Sequence, residues 1–377
     1  MADILVFAAG NERGGAATHL ETLVRTYLDE ADKRNQLKFH FLTLGTGSLY
    51  ERLKTTGVSV QVVDGSMTRV SRNVSTILKT FDDVILHAHG PRLNMVASMA
   101  ARETGTKWTS TIHSNPMLDY LQSRVKTLVY PKLHLRSLKS ATGLFVVQED
   151  FARFLPVKTI AFVPNSVILT ALDAPKSTYE AALRARLQLP EDAQVVGIAA
   201  RFDPVKNLPI LIEAFSHITS PYVHLAIAGD GAQEKALKAQ VSRAGLASRV
   251  HFLGYIDDVR SFYAGLNAHV LPSRSEGTPF SLLEAGAYGV PNIGTQIPGI
   301  TQLLADGVTG LTVPVDNAQG MANAICRVLD NRDLAATLVR QFQQDVLPRF
   351  EPRKMLEAYI RGYALFRDQE KRDKLVF

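Results

Sequence analysis

The sequence predicts an α/β chain built as two doubly wound, Rossmann-like domains facing across a cleft. Short apolar runs alternate with helical patterns along the chain. The series breaks once, over 165–193, and then restarts. At about 100–200 residues per domain, 377 residues fit two domains. Runs that are apolar throughout read as strands of parallel sheet covered on both faces, and right-handed crossovers wind them into doubly wound domains.

The first series opens with ILVFAA (4–9), followed by a helical pattern from Gly15 to Asp32. KFHFLTL (38–44), the helix SLYERLKTT and VSVQVV (58–63) follow. DVILHAH (83–89), the helix RLNMVASMAARE and KWTSTIH (107–113) come next, then a helical region over 117–139. ATGLFVV (141–147) and TIAFVP (159–164) close the series. Segment 165–193, with mixed polarity and prolines, reads as a linker with a short lead-in helix. The second series runs VVGIAA (195–200), NLPILIEAF, VHLAIAG (223–229), a helix near 233–245 and RVHFLG (249–254). DDVRSFYAGL, AHVLPS (268–273), FSLLEAGAYG, VPNIGT (290–295) and GLTV (310–313) complete it, with helical segments to Phe377. The expected domains are 1–165, 166–355, and a terminal helix 356–377 returning to the first.

Composition narrows the function. With 46% hydrophobic and 21% charged residues the chain is globular. Its one cysteine, Cys326, excludes a disulfide framework and a cysteine-cluster metal site. No apolar run approaches the ~18–20 residues that span a bilayer. Asp3 interrupts the first apolar run and no basic region precedes it, so no secretory leader is expected and the location reads as cytoplasmic. The net charge of +6 calls for an anionic partner. Residues 1–165 hold 20 Lys and Arg against 14 Asp and Glu, and the remainder holds 22 of each. The surplus therefore belongs to the first domain and favours an anionic acceptor or membrane over nucleic acid. Segment 121–139 concentrates it in Arg124, Lys126, Lys132, Arg136 and Lys139, with Leu121, Val125, Leu128 and Val129 at helical spacing. Such a helix fits the inner face of an anionic membrane, and equally an ordinary core-facing helix with a solvated basic side.

Ligands of open α/β sheets sit beyond the carboxyl ends of the strands, so strand-end loops carry the candidate chemistry. After AHVLPS comes Glu276-Gly277-Thr278-Pro279-Phe280, with Glu284 one turn into the following helix. Helix N-terminal N–H groups suit phosphate, and paired carboxylates suit sugar hydroxyls. After VVGIAA comes ARFDPVKN, where Arg201 and Lys206 suit phosphate oxygens. Gly229 and Gly231 permit close backbone approach to a ligand, and Gly14-Gly15 opens the first helix without the spacing of a dinucleotide fingerprint. His87, His89 and His113 stand at two strand ends. P-loop, HExxH, GxSxG and Asp-x-Asp patterns are absent, so cations rather than a metal would neutralise a diphosphate.

These residues resemble the family-4 retaining glycosyltransferases. The resemblance rests on Glu276 and Glu284 eight apart after PSxSEG, on Arg201 and Lys206 in ARFDPVKN, and on GDG, EAGAYGVPNIGT and DGVTGLTVP. It is looser in the first half, at GG (14–15), HAHG (87–90), TIH (111–113) and PNSV (164–167). There the chain departs from the family pattern at Ser114, at Ser166 and in GGAATH. The resemblance implies a GT-B fold and metal-independent, retaining transfer of a hexosyl unit from a nucleoside-diphosphate sugar. It implies that Arg201 and Lys206 hold the diphosphate, that Glu284 accepts from the ribose, and that Glu276 contacts the sugar with the backbone N–H groups of Gly277 to Phe280. Gly15 would approach phosphate or acceptor, and His113 would lie near the transferred sugar. It implies a glycan or lipid-linked acceptor and no cofactor. A sugar-nucleotide epimerase or hydrolase, and a non-catalytic partner of another transferase, remain the other readings.

Overall fold

The computed structural model describes residues 2–30, 37–116 and 124–368. It forms two compact units, Met1–Val167 with Phe350–Phe377, and Ile168–Arg349. The first unit runs past the expected residue 165 because Val163 N–H bonds Val146 O at 2.9 Å and Ser166 Oγ bonds Glu351 O at 3.2 Å. The second of these bonds also draws in the return segment before residue 356.

In the first unit the elements are β1 (Ala2–Ala9), α1 (Gly15–Asp29), β2 (Leu37–Leu44), α2 (Ser48–Thr55), β3 (Val60–Val63) and α3 (Met67–Leu78). β4 (Val84–His89), α4 (Pro91–Thr104), β5 (Lys107–Ile112), α5 (Arg124–Leu138), β6 (Gly143–Val146) and β7 (Ile160–Phe162) follow. The sheet order is β3-β2-β1-β4-β5-β6-β7, all parallel. The winding reverses between β1 and β4, whose carboxyl ends carry residues 10–15 and His89.

One local reading changes. α3 was not anticipated, because serine, threonine and arginine dilute its apolar stripe. Ser66 caps it by accepting from Arg69 N–H, and Val70, Val74 and Leu78 are buried. α5 runs through Pro131, within the helical region expected over 117–139. Pro131, His134 and Leu138 face the core, whereas Tyr130, Lys132, Leu133 and Arg136 are exposed. Leu121, and the side chains of Val125, Leu128 and Val129, lie outside the described residues.

The second unit contains α6 (Lys176–Arg186), β8 (Gln194–Ala199), α7 (Leu208–Ser216), β9 (Val223–Ala228), α8 (Glu234–Arg243) and β10 (Val250–Gly254). α9 (Val259–Ala264), β11 (Ala268–Leu271), α10 (Phe280–Ala287), β12 (Asn292–Thr295), α11 (Pro298–Thr301), β13 (Leu311–Val313), α12 (Ala318–Asp330) and α13 (Arg332–Gln341) complete it. Its parallel sheet has the order β10-β9-β8-β11-β12-β13, with the reversal between β8 and β11. Every residue of β9 and β11 is buried, which is why these strands read as unbroken apolar runs.

The last helix, α14 (Pro352–Arg367), belongs to the first unit. Met355, Leu356, Tyr359, Tyr363 and Phe366 form its buried stripe. Two glycines set its depth. A Cβ on Gly362 would lie 2.1 Å from Phe145 Cε1, and one on Gly143 would lie 2.3 Å from Phe366 Cε1. Each glycine admits a phenylalanine ring from the opposite element. Gly362→Val is therefore expected to destabilise the fold by about 1–3 kcal/mol through overpacking. Urea denaturation would measure this, and an unchanged midpoint would contradict the packing described.

Candidate active site

In the second unit the two loops at the winding reversal, 200–207 after β8 and 272–279 after β11, are stitched together. Asp203 Oδ1 accepts from Val205 N–H at 3.0 Å and from Lys206 N–H at 3.1 Å, closing the first loop into a turn. Arg274 N–H donates to Val205 O at 2.8 Å. Asn207 takes a left-handed conformation with φ of 54°, which asparagine adopts more readily than most non-glycine residues. Its Nδ2 donates to Pro272 O at 3.2 Å and to Asp316 Oδ1 at 2.9 Å.

The stitching sets Lys206 against Glu276. Lys206 Nζ is 2.6 Å from Glu276 Oε1, and Ser273 Oγ donates to the same oxygen at 2.5 Å. The carboxylate is 9% exposed and the ammonium 20%, so the pair is shielded from water and salt. Thr295 Oγ1 in turn bonds Ser273 O. Arg201 is 72% exposed, with its guanidinium 3.2 Å from Asp203 Oδ2. Ser273, Asn207 and Thr295 escaped the sequence reading. Only the PSxSEG spacing, which places Ser273 three residues before Glu276, signalled one of them.

The turn from Glu276 to Thr278 rests on α11. A Cβ on Gly299 would lie 2.3 Å from both Glu276 O and Gly277 O. Gln302 Nε2 lies 3.0 Å from Gly277 O and 3.2 Å from Thr278 Oγ1. Pro279 occupies the cap position rather than the first turn of α10, and no side chain caps that helix. Having no N–H, Pro279 cannot join the expected backbone donors, which reduce to Gly277, Thr278 and Phe280. Glu284 is half-buried in α10, and its charge adds to burial in raising the Tyr263 hydroxyl. Asn292 Nδ2 holds α10 by donating to Leu282 O at 2.9 Å, while Asn292 Oδ1 lies 2.7 Å from His269 Nδ1. Gly229 and Gly231 have φ of 121° and 150°, and their close backbone approach is to the neighbouring loop. A Cβ on them would lie 1.9 Å from Ala200 O and 2.7 Å from Phe202 N.

In the first unit Gly15 is exposed as the first residue of α1, and Gly14 N–H donates to Glu12 Oε1 at 3.0 Å. His113 Nε2 is 3.0 Å from His89 Nδ1. His87 and His89 are buried rather than turned outward. Burial, and then the charges of His19 and His89, hold the His113 pKa well below the ordinary histidine value. Among the described residues no group of three or more His, Cys, Asp or Glu side chains could hold a metal ion.

Residues 180–345 match the family described as Glycosyl transferases group 1. The lipopolysaccharide core biosynthesis glycosyltransferase LpsE of Rhizobium meliloti is 32% identical over 177 residues, 47% of this chain and 52% of that protein. The O-antigen biosynthesis glycosyltransferase WclY of Escherichia coli is 24% identical over 355 residues, 92% of this chain and 95% of WclY. The structure of Anabaena HepE in complex with UDP-glucose superposes with a TM-score of 0.81 at 19% identity, covering 97% of this chain and 99% of HepE. The chain has the GT-B fold and carries a glycosyltransferase group 1 region in its second unit.

His269 lies under this region and supplies a pH test. Burial lowers its pKa from 6.5 to about 4, against the hydrogen bond to Asn292 and with help from the Lys206 charge. The unfolded chain therefore binds a proton between pH 6.5 and about 4 that the fold rejects, so stability falls as pH drops through that window. Compared with the parent, His269→Gln should lose about 1.4 kcal/mol less per pH unit in that window. Denaturant titrations at several pH values would measure this, and parallel profiles would contradict it.

Proposed function

We propose that this glycosyltransferase, of family-4 type, moves a hexosyl unit with retention from a UDP-sugar to a hydroxyl of a lipid-linked or cell-envelope glycan. The observation that carries the reading is the Lys206–Glu276–Ser273 cluster at the winding reversal of the second sheet. An ammonium has three donors, and Lys206 spends one on Glu276, leaving others for diphosphate oxygens. Glu276 receives both bonds on Oε1, so Oε2 can accept from a sugar hydroxyl. Arg201 supplies a second, exposed cation. The N–H groups of Gly277, Thr278 and Phe280 add fixed donors, and Glu284 accepts from the ribose. Gly15 would approach the phosphate or the acceptor, and His113 would lie near the transferred sugar. The UDP preference draws on HepE, and the envelope acceptor on the names of LpsE and WclY.

Transfer breaks the sugar C1–O bond, and its electron pair leaves on the diphosphate. The acceptor oxygen bonds C1 on the same face, and its proton passes to the departing phosphate oxygen. Lys206, Arg201 and the backbone donors stabilise the growing phosphate charge without reorganising. This neutralisation needs no metal or cofactor. We place the reaction at the inner face of the membrane, with the exposed cations Lys132, Arg136 and Lys139 meeting anionic lipid. Among the described residues no helix is long and apolar enough to cross a membrane.

Two measurements test the reading. With purified protein and a panel of UDP-sugars, Lys206→Ala and Glu276→Ala should each lower kcat/KM by about 10²–10³-fold, with a chelator leaving the parent unchanged. Equal turnover by parent and variants would sink it. Co-sedimentation with anionic but not neutral vesicles is expected, and indifference to both would remove the membrane partner.

A further inference from the structure

A buried hydrogen-bonded chain crosses the first unit from Asn165 to α14, and its proton order can be worked out link by link. Asn165 Oδ1 lies 2.8 Å from His19 Nδ1. An amide oxygen only accepts, so His19 carries its proton on Nδ1. His19 Nε2 is then a lone pair 2.6 Å from Tyr359 Oη, so the tyrosine donates. Tyr359 Oη must in turn accept from Thr111 Oγ1, 2.7 Å away. Thr111 Oγ1 accepts from His87 Nε2–H at 2.9 Å, which leaves His87 Nδ1 to accept from Tyr363 Oη at 2.5 Å. Each contact holds one proton and both imidazoles are neutral. A second proton on either ring would turn the Tyr363 hydroxyl hydrogen out of the chain.

This relay flanks the His113–His89 pair on both sides. His19 meets His113 edge-on with ring centroids 4.9 Å apart, and His87 stacks on His89 at 4.4 Å. We propose that Asn165 and Tyr359 are positioning residues, which fix the ring states of His19 and His87 and so the seat of His113. The inference rests on the proposed reading of His113 as a residue near the transferred sugar. It gives α14 a role in the site beyond covering the sheet.

The test uses the full chain labelled with ¹⁵N-histidine, whose ring nitrogen signals report the tautomer directly. The parent should show His19 as the Nδ1–H form and His87 as the Nε2–H form. Asn165→Leu removes the terminal acceptor and should move the His87 signals, three hydrogen-bonded groups away, toward Nδ1–H. Tyr359→Phe keeps the ring, cuts the relay in the middle, and serves where Asn165→Leu fails to fold. It should also move His87, and should lower kcat by about tenfold or more with the KM for the UDP-sugar unchanged. Parent His87 in the Nδ1–H form, or unmoved His87 signals in a folded variant, would overturn the relay. Unchanged kcat in a variant with shifted tautomers would overturn the positioning role. A parent without transferase turnover would count against the proposed function, and the ring signals would still decide the relay.

Discussion

Glu276 is a carboxylate almost withdrawn from water, and its retention there constrains much of the second unit. Such a group needs donors in place before folding can tolerate it. Lys206 and Ser273 supply them from different strand ends, so β8 and β11 must end at the same height. The left-handed turn at Asn207, the backbone bond from Arg274 to Val205 and the Thr295 bond to Ser273 all serve that alignment. The conformational cost of Asn207 is offset by its two side-chain bonds, and one of them reaches the end of β11.

The two units put the same sheet topology to opposite electrostatic use. In the second, charged groups are paired and partly shielded at the winding reversal. In the first, the corresponding strand ends carry neutral imidazoles and hydroxyls, packed so closely that a charge on any of them is disfavoured. The excess positive charge of the first half therefore does not reside in its buried polar chain. It lies on the surface, for example on Lys132, Arg136 and Lys139 of α5.

The fold was legible because strands buried on both faces leave runs that no helix pattern mimics. β4, β9 and β11 are such strands. α3 was not, since its stripe of Val70, Val74 and Leu78 is diluted by serines that the structure also buries or caps. In the site, Arg201, Lys206, Glu276 and Glu284 stood out as charges in strand-end loops. Ser273, Thr295 and Asn207 did not, because a serine, threonine or asparagine acquires its meaning only from the partner across the loop. The tyrosines of α14 were still less visible. Their spacing of four places them on one helical face, but nothing local says that this face meets histidines 340 and 276 positions earlier.

That distance explains the glycines of the terminal helix. A hydroxyl can reach a ring buried beneath it only if the helix backbone comes unusually close to the sheet. Gly362 lies between Tyr359 and Tyr363, and its missing side chain lets Phe145 fill the space a Cβ would need. Phe145 then packs against both tyrosine rings, with centroids 4.7 and 5.1 Å away. Larger residues at 362 would lift both hydroxyls together, removing a donor from His19 and from His87 at once. The packing of an apolar contact and the proton order of the polar chain are therefore one constraint, written in the last turns of the described chain.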